Sequence, residues 1–273
     1  MQRPSFLILT VIVIAHYANI GTISLYAQAT TTSKASSQAA SAQNTAATMA
    51  TTLAVSTGSI ILAKPASDLK PGKANYKILL EVGGRKIEAT KVTEITDAAK
   101  NWKIIETSQS PMGSVTDEAE VVKGTLAPVK RRVNQGPMII ALDYDGNKIK
   151  GSVDSPMANT KIDKEVTGHL FADGTGTSTI LATLPFAEGY KATFTNFDMM
   201  SQQATQMLVS VVGMEEVSVA AGKFMAYKVE VGFVGSDVVN STIWVAKDGA
   251  RVLKERQSIP QMNGAVVTSE LQP

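Results

Sequence analysis

Met138-Ile139-Ile140-Ala141-Leu142-Asp143-Tyr144, then Asp145-Gly146, then Asn147-Lys148-Ile149-Lys150-Gly151-Ser152-Val153-Asp154, reads as two strands joined by a reverse turn. Asp-Gly supplies the positive φ angles that a two-residue hairpin turn needs. On the second arm Lys148, Lys150 and Ser152 face away from Ile149 and Val153, so the sheet has a wet face and a dry face. That division belongs to antiparallel sheets, and the chain repeats it in both directions.

Toward the N-terminus, Ile78, Leu80 and Val82 alternate with Lys77 and Glu81, and Gly83-Gly84 offers a turn into Lys86–Thr96. This second run is apolar at Ile87 and Ala89 but resumes at Val92. A β-bulge near Thr90-Lys91 accounts for the slip in parity. Trp102–Thr107 is a third run, turned by Ser110-Pro111-Met112-Gly113. Beyond the hairpin, Phe171–Thr177 reads as a loop, and Ser178–Leu184 is the one short helix, ended by Pro185.

The last third returns to strands at Tyr190–Phe197, Thr205–Val219, Phe224–Phe233, Val239–Ala246, Val252–Gln257 and Ala265–Leu271. Tyr227, Val229, Val231 and Phe233 point one way while Lys228 and Glu230 point the other, and Lys247-Asp248-Gly249-Ala250 is a second hairpin signal. Roughly ten to twelve strands result, mainly antiparallel because the connections leave no room for crossover helices. The fold class is all-β.

The first 29 residues differ in kind. Arg3, an apolar run from Phe6 to Ile14, and Ala27-Gln28-Ala29 read as a secretory signal peptide cleaved after Ala29. Residues 30–57 are almost entirely Ala, Ser, Thr and Gln with Lys34 as their only charge, too little apolar surface to offset ordering, and read as a flexible linker. Residues 58–273 form the β domain, with Ile60-Ile61-Leu62 as a short docking segment near its start. The expected location is periplasmic or extracellular, since no cysteine is present to carry a lipid anchor or a disulfide.

Removing 29 residues from 273 leaves 244, and takes away only Arg3 among the charges, so 25 Lys and Arg stand against 24 Asp and Glu. That balance argues against a nucleic-acid partner. Lys130-Arg131-Arg132 is the sharpest basic spot, but alternation spreads it over both faces, as on a solvated edge.

Catalytic chemistry finds little support. His169 is the one histidine after cleavage, no Gly-x-Ser-x-Gly elbow surrounds a serine, and thiol chemistry has no residue. One histidine without cysteine is a poor zinc set, and Asp143–Asn147 lacks the closing Glu of a calcium loop. Gly174-Thr175-Gly176 is followed by neither a phosphate-loop lysine nor the dinucleotide spacing. The expectation is a non-enzymatic protein with no cofactor and no metal.

Val217-Ser218-Val219-Ala220-Ala221-Gly222-Lys223-Phe224, Tyr227-Lys228-Val229, Ile243-Trp244-Val245-Ala246-Lys247-Asp248-Gly249, Val252 and Lys254 follow an order that resembles a family of exported bacterial β-domains of unknown function. Leu184-Pro185-Phe186 and Leu126-Ala127-Pro128-Val129 fit its punctuation. The family is similar in shape to periplasmic lipoprotein carriers, in which a curved antiparallel sheet wraps a helix as a half barrel. The resemblance implies that architecture and an apolar or amphipathic, lipid-like ligand, with Leu184, Phe186, Phe224 and Trp244 as lining candidates and Ser178–Leu184 as plug or lid. Trp244, flanked by Ile243 and Val245, is expected on a strand covered on both faces. The alternative is an accessory module of the envelope that pairs through a sheet edge, for example with an exported peptidase. An open dry cleft would favour the ligand, and a filled core with a flat free edge would favour the partner.

Overall fold

The computed structural model describes residues 61–199 and 201–273; the leader with Ala27 and Ala29, and the 30–57 segment, lie outside the described residues. The chain forms strands β1 (Ile61–Leu62), β2 (Gly72–Val82), β3 (Arg85–Ala98), β4 (Asn101–Ser110), β5 (Gly113–Val122), β6 (Pro128–Gln135), β7 (Met138–Asp145), β8 (Lys148–Ser155) and β9 (Ala158–Glu165). Helix α1 (Thr177–Leu181) follows, then β10 (Lys191–Asp198), β11 (Gln203–Val219), β12 (Gly222–Phe233), β13 (Val239–Ala246), β14 (Val252–Ile259) and β15 (Ala265–Leu271). All fifteen strands belong to one sheet, ordered β1-β10-β11-β12-β13-β14-β15-β2-β3-β4-β5-β6-β7-β8-β9. Among the described residues no helix is long and apolar enough to cross a membrane.

The sheet is two meanders laid side by side, β2–β9 and β10–β15, joined where β15 pairs antiparallel with β2. Val266 at the start of β15 lies opposite Glu81 at the end of β2. The β2–β3, β4–β5, β6–β7 and β8–β9 turns therefore share a rim with the β10–β11, β12–β13 and β14–β15 turns. We call this the turn rim.

The sheet curves until its ends overlap without closing. On β10, Ala192 and Phe194 point into one apolar cluster, whereas Phe197, on the opposite face, packs with Ile140, Ile149 and Ile162 of β7, β8 and β9. Gln202 Nε2, just before β11, donates to the Lys161 carbonyl of β9 at 3.4 Å. β10 is thus covered on both faces, and β1 and the Leu170–Thr195 bridge cover its edge. Among the described residues β9 is the edge strand with no further strand beside it.

Residues 166–190 leave β9 and enter the concave face as a plug. Phe171, Ile180 and Leu181 are fully buried among Ile104 of β4, Phe194 of β10, Val209 of β11, Val229 of β12 and Ile243 of β13. α1 is one residue longer at its start and three shorter at its end than the Ser178–Leu184 expectation; Thr183 and Leu184 continue as turn, bonded back to Ile180 and Leu181. Helical bonding stops just ahead of Pro185, which has no N–H to continue it.

Three further readings change. Among the described residues the strands number fifteen, because Ile61–Leu62 pairs with β10 as β1, Gly113–Val122 pairs with β4 as β5, Lys130–Asn134 pairs on both sides as β6 and the polar stretch around Asn159 pairs with β8 as β9. The β7–β8 turn is Gly146-Asn147, with Asp145 paired to Lys148 and Gly146 at φ +57. No bulge interrupts β3 at Thr90-Lys91, where Lys91 pairs regularly with Tyr76 and Thr90 with Lys77. The apparent slip arises because Lys91 and Thr93, polar residues, occupy the same face as Ile87 and Ala89.

Candidate functional site

Alternation and register place a belt of polar side chains on the concave face. On β3 and β4 it comprises Lys91, Thr93, Glu106 and Ser108. Asp117 on β5 and Arg131 and Gln135 on β6 continue it. Across the joint between the meanders, Glu255 and Gln257 on β14 face Ser269 on β15 and Ser241 on β13. Thr93, Ser108, Asp117, Arg131, Glu255, Gln257 and Ser269 are all buried.

The plug is bolted to this belt by hydrogen bonds. Arg131 donates to both oxygens of Asp117, at 2.7 and 3.2 Å, and the Thr175 hydroxyl donates to the same carboxylate. Gly174, at φ +90, lies flat against the guanidinium; a Cβ there would meet Nη1 at 2.3 Å. Tyr144 donates to Asp173 Oδ2 at 2.8 Å, and the Phe197 N–H donates to Oδ1 at 3.0 Å. From α1, Ser178 donates to Glu255 Oε2 at 2.7 Å. The solvated-edge reading of Lys130-Arg131-Arg132 is therefore corrected: β6 lies between β5 and β7, and Arg131 is 1% exposed. Alternation does split the charges, but inward as well as outward. A fully buried ion pair fixes its geometry because either charge left alone would be strongly unfavourable.

Toward the turn rim the belt is incompletely satisfied. Gln135 Oε1, both amide atoms of Asn196, Glu255 Oε1, Gln257 Nε2 and Ser269 Oγ are buried without a protein partner. Of these, Glu255, Gln257 and Ser269 are neighbours on β14 and β15. An unmade hydrogen bond at a buried polar atom costs about 1–3 kcal/mol, so three together mark where another polar species belongs. Beside them, Lys91 pairs with Glu106 at 3.3 Å, and Thr93 donates to the same Glu106 oxygen at 3.0 Å.

The electrostatics follow from this burial. Burial raises the Glu255 carboxyl above its usual range, against the opposing pull of Lys91 and Ser178. Burial alone would lower Lys91, but Glu106 and then Glu255 outweigh it and hold the ammonium above its ordinary value. The Tyr76 phenol is pushed up to about 12 by burial, and its hydroxyl donates to the Val252 carbonyl at 3.2 Å. Asp173 is likewise raised by burial.

The four lining candidates fall into two separate places, neither on the belt. Leu184 is buried in the dry cluster around α1. Phe186 packs on that cluster's margin, edge-on to Tyr190 at 5.6 Å and tilted against Tyr227 at 6.2 Å. Tyr227 also floors an open groove of about 680 Å³ between Ala187–Gly189 and the bulged stretch Val211–Met214 of β11. Phe224 and Trp244 pack instead with Tyr76, Val217 and Leu253. Trp244 is not covered on both faces: its indole N–H donates to Glu215 at 2.5 Å, and Lys228 and Lys254 approach its ring at 5.9 and 5.8 Å. Ile243 and Val245 point inward, so their neighbour points outward.

The belt residues themselves escaped the sequence reading, although one signal was present. In Val252–Gln257, Lys254 and Arg256 alternate with Glu255 and Gln257, so both faces of that strand carry polar groups. Such a strand cannot line a wholly apolar interior.

Comparisons with known proteins place the chain in a family without a known activity. No curated protein matches it. Among solved structures it is similar to the hypothetical lipoprotein YmcC from Escherichia coli (K12), at 11% identity, TM-score 0.32, over 72% of this chain and 85% of that one. It is also similar to a protein with a YmcC-like fold from Bacteroides fragilis NCTC 9343, at 12% identity, TM-score 0.26, over 77% and 98%. A DUF1329 family protein from Desulfovibrio piger ATCC 29098 matches at 8% identity, TM-score 0.24, over 73% and 82%. The family model described as "Protein of unknown function (DUF3108)" matches residues 73–272, from β2 to just past β15, and the chain belongs to that family.

Proposed function

We propose that this protein is an exported, non-enzymatic component of the cell envelope that binds an amphipathic molecule on its concave face, with the ligand's polar end against the belt. The unpartnered buried polar atoms of Glu255, Gln257 and Ser269, adjacent on β14 and β15, carry the reading. An apolar wall adjoins them in register: Val267 lies opposite both Gln257 and Leu80, and Ile78 lies opposite Ser269. A polar end and an apolar end are thus accommodated side by side, the usual composition of a ligand site. The signal-peptide reading of residues 1–29 supports export. α1 and its flanks fill the dry part of the concavity as a plug, which leaves the belt side for the ligand.

The alternative, strand addition at a free edge, has a specific obstacle. β9 carries exposed Lys161, Asp163, Lys164 and Glu165, and charges of this kind guard an edge against pairing. The test is native mass spectrometry of protein purified from its own envelope, followed by organic extraction. The expected result is a bound amphipathic mass released by the solvent. A bare polypeptide, or one that co-purifies in fixed ratio with another protein and no small molecule, would defeat the reading.

A further inference from the structure

We infer that the polar end of the ligand is a cationic amine, received by Glu255 and Ser269 on β14 and β15. The inference rests on the reading of the concave face as an amphipathic site, and adds the charge of the head group. Among the described residues two cations, Lys91 and Arg131, and three acids, Glu106, Asp117 and Glu255, line the belt. Arg131 is taken by Asp117 and Lys91 is bonded to Glu106. Glu255 is the acid in excess, and Lys91, the cation that acts on it, is already shared. One Glu255 oxygen accepts from Ser178, and the other has no partner.

The groups around that free oxygen suit a donor-rich cation. Ser269 lies directly opposite Glu255 in the ladder, and its hydroxyl is also unpartnered. Gln257 lies two residues along the same face, and its amide can present either its oxygen or its nitrogen by rotation. An ammonium brings three donors and a compensating charge to these acceptors. A carboxylate or phosphate would bring a second anion beside Glu255, where both belt cations among the described residues already face a carboxylate, a like-charge contact in a buried setting. A hydroxylated head could donate to the free oxygen but would add no positive charge to the share of Lys91 that Glu255 already has.

The experiment holds the tail constant and changes the head. Dodecylammonium, dodecanoate and dodecyl maltoside, each below its micelle-forming concentration, are titrated into the full chain by calorimetry. Dodecylammonium should bind about 10-fold or more tightly than dodecanoate, a difference of ~1.4 kcal/mol or more. Glu255→Gln should erase that preference while leaving dodecyl maltoside binding in place. Ser269→Ala, a milder change, should weaken dodecylammonium several-fold and dodecanoate little, which keeps the test decisive if Glu255→Gln does not fold. Equal or tighter binding of dodecanoate or dodecyl maltoside would overturn the head-group assignment and leave the amphipathic site standing. Selectivity untouched by both substitutions would also overturn it. Binding of none of the three would overturn the site itself.

Discussion

The concave face is one surface with two characters. Around α1 it is dry: Ile104, Leu126, Phe171, Leu181, Val209 and Val229 are fully buried against one another. Toward the turn rim the same face presents the bonded, half-buried pair Lys91 and Glu106, and beside it Glu255, Gln257 and Ser269, shielded from solvent but only partly bonded. Burial and dryness are therefore separate properties in this protein. In the first region burial is the source of stability, at about 25 cal/mol per Å² of apolar area removed from water. In the second it is a cost, and the cost is borne where a ligand would relieve it.

The sharpest way to break this comparison lies at the boundary, where the plug meets the belt. Asp117→Ala should destabilise by about 3–5 kcal/mol, since it strands the buried Arg131 guanidinium and frees Thr175. Joint replacement Asp117→Leu with Arg131→Met should cost far less. Urea unfolding of the three proteins decides it, and a loss under ~1 kcal/mol in the single variant would mean that the pair does not anchor the plug.

Within the two regions the expected effects diverge. Leu181→Ala, in the dry region, should cost about 3 kcal/mol through lost transfer energy and a residual cavity. Gln257→Leu, in the belt, should change stability by no more than about 1 kcal/mol in either direction, because it replaces an unsatisfied group with an apolar one. Similar losses from the two substitutions, read by urea unfolding, would mean that the two regions do not differ in what burial does.

The smallest effect is one of pH. Burial raises Glu255 in the folded state, so between the unfolded and folded values the folded protein binds the extra proton. Stability should fall as pH rises from about 4.3, the ordinary glutamate value, through the raised folded value, and this contribution is fully retained only below that window. Asp173, raised for the same reason, acts in the same direction. Chemical melts from pH 4 to 8 should show a shallower decline in Glu255→Gln than in the native sequence. Superimposable curves would show that Glu255 is not destabilised by its surroundings.

Most of the sheet was legible because its outer face obeys the hydrophobic alternation rule. Tyr227, Val229 and Val231 against Lys228 and Glu230, and Ile149 and Val153 against Lys148 and Lys150, fall on the faces that period two assigns. The belt defeated the same rule. Period-two reading equates polar with outward, so Lys91 and Thr93 looked like a slip in register, and Arg131 looked like part of a solvated edge. Each is an inward polar residue whose partner lies on another strand: Glu106 on β4 and Asp117 on β5. Long-range pairing of this kind leaves no local trace. Trp244 was misjudged for the complementary reason. Its apolar neighbours suggested cover on both sides, whereas Glu215, Lys228 and Lys254 make an outward-facing indole tolerable.

The overlap of β7–β9 across the back of β10 bears on how much the interior can adapt. In a closed barrel, strand number and stagger fix the diameter, and no strand can shift without breaking a ladder. Here the seam consists of Phe197 and Met199 resting on Ile140, Ile149 and Ile162, with the Gln202–Lys161 bond beside them and Asp173 accepting from both Tyr144 and the Phe197 N–H. Apolar side chains can slide past one another by fractions of a strand spacing, a motion that paired backbones forbid. The wall is built like a coiled band whose girth is set by side-chain contacts and by the plug it encloses, not by its fourteen strand pairings.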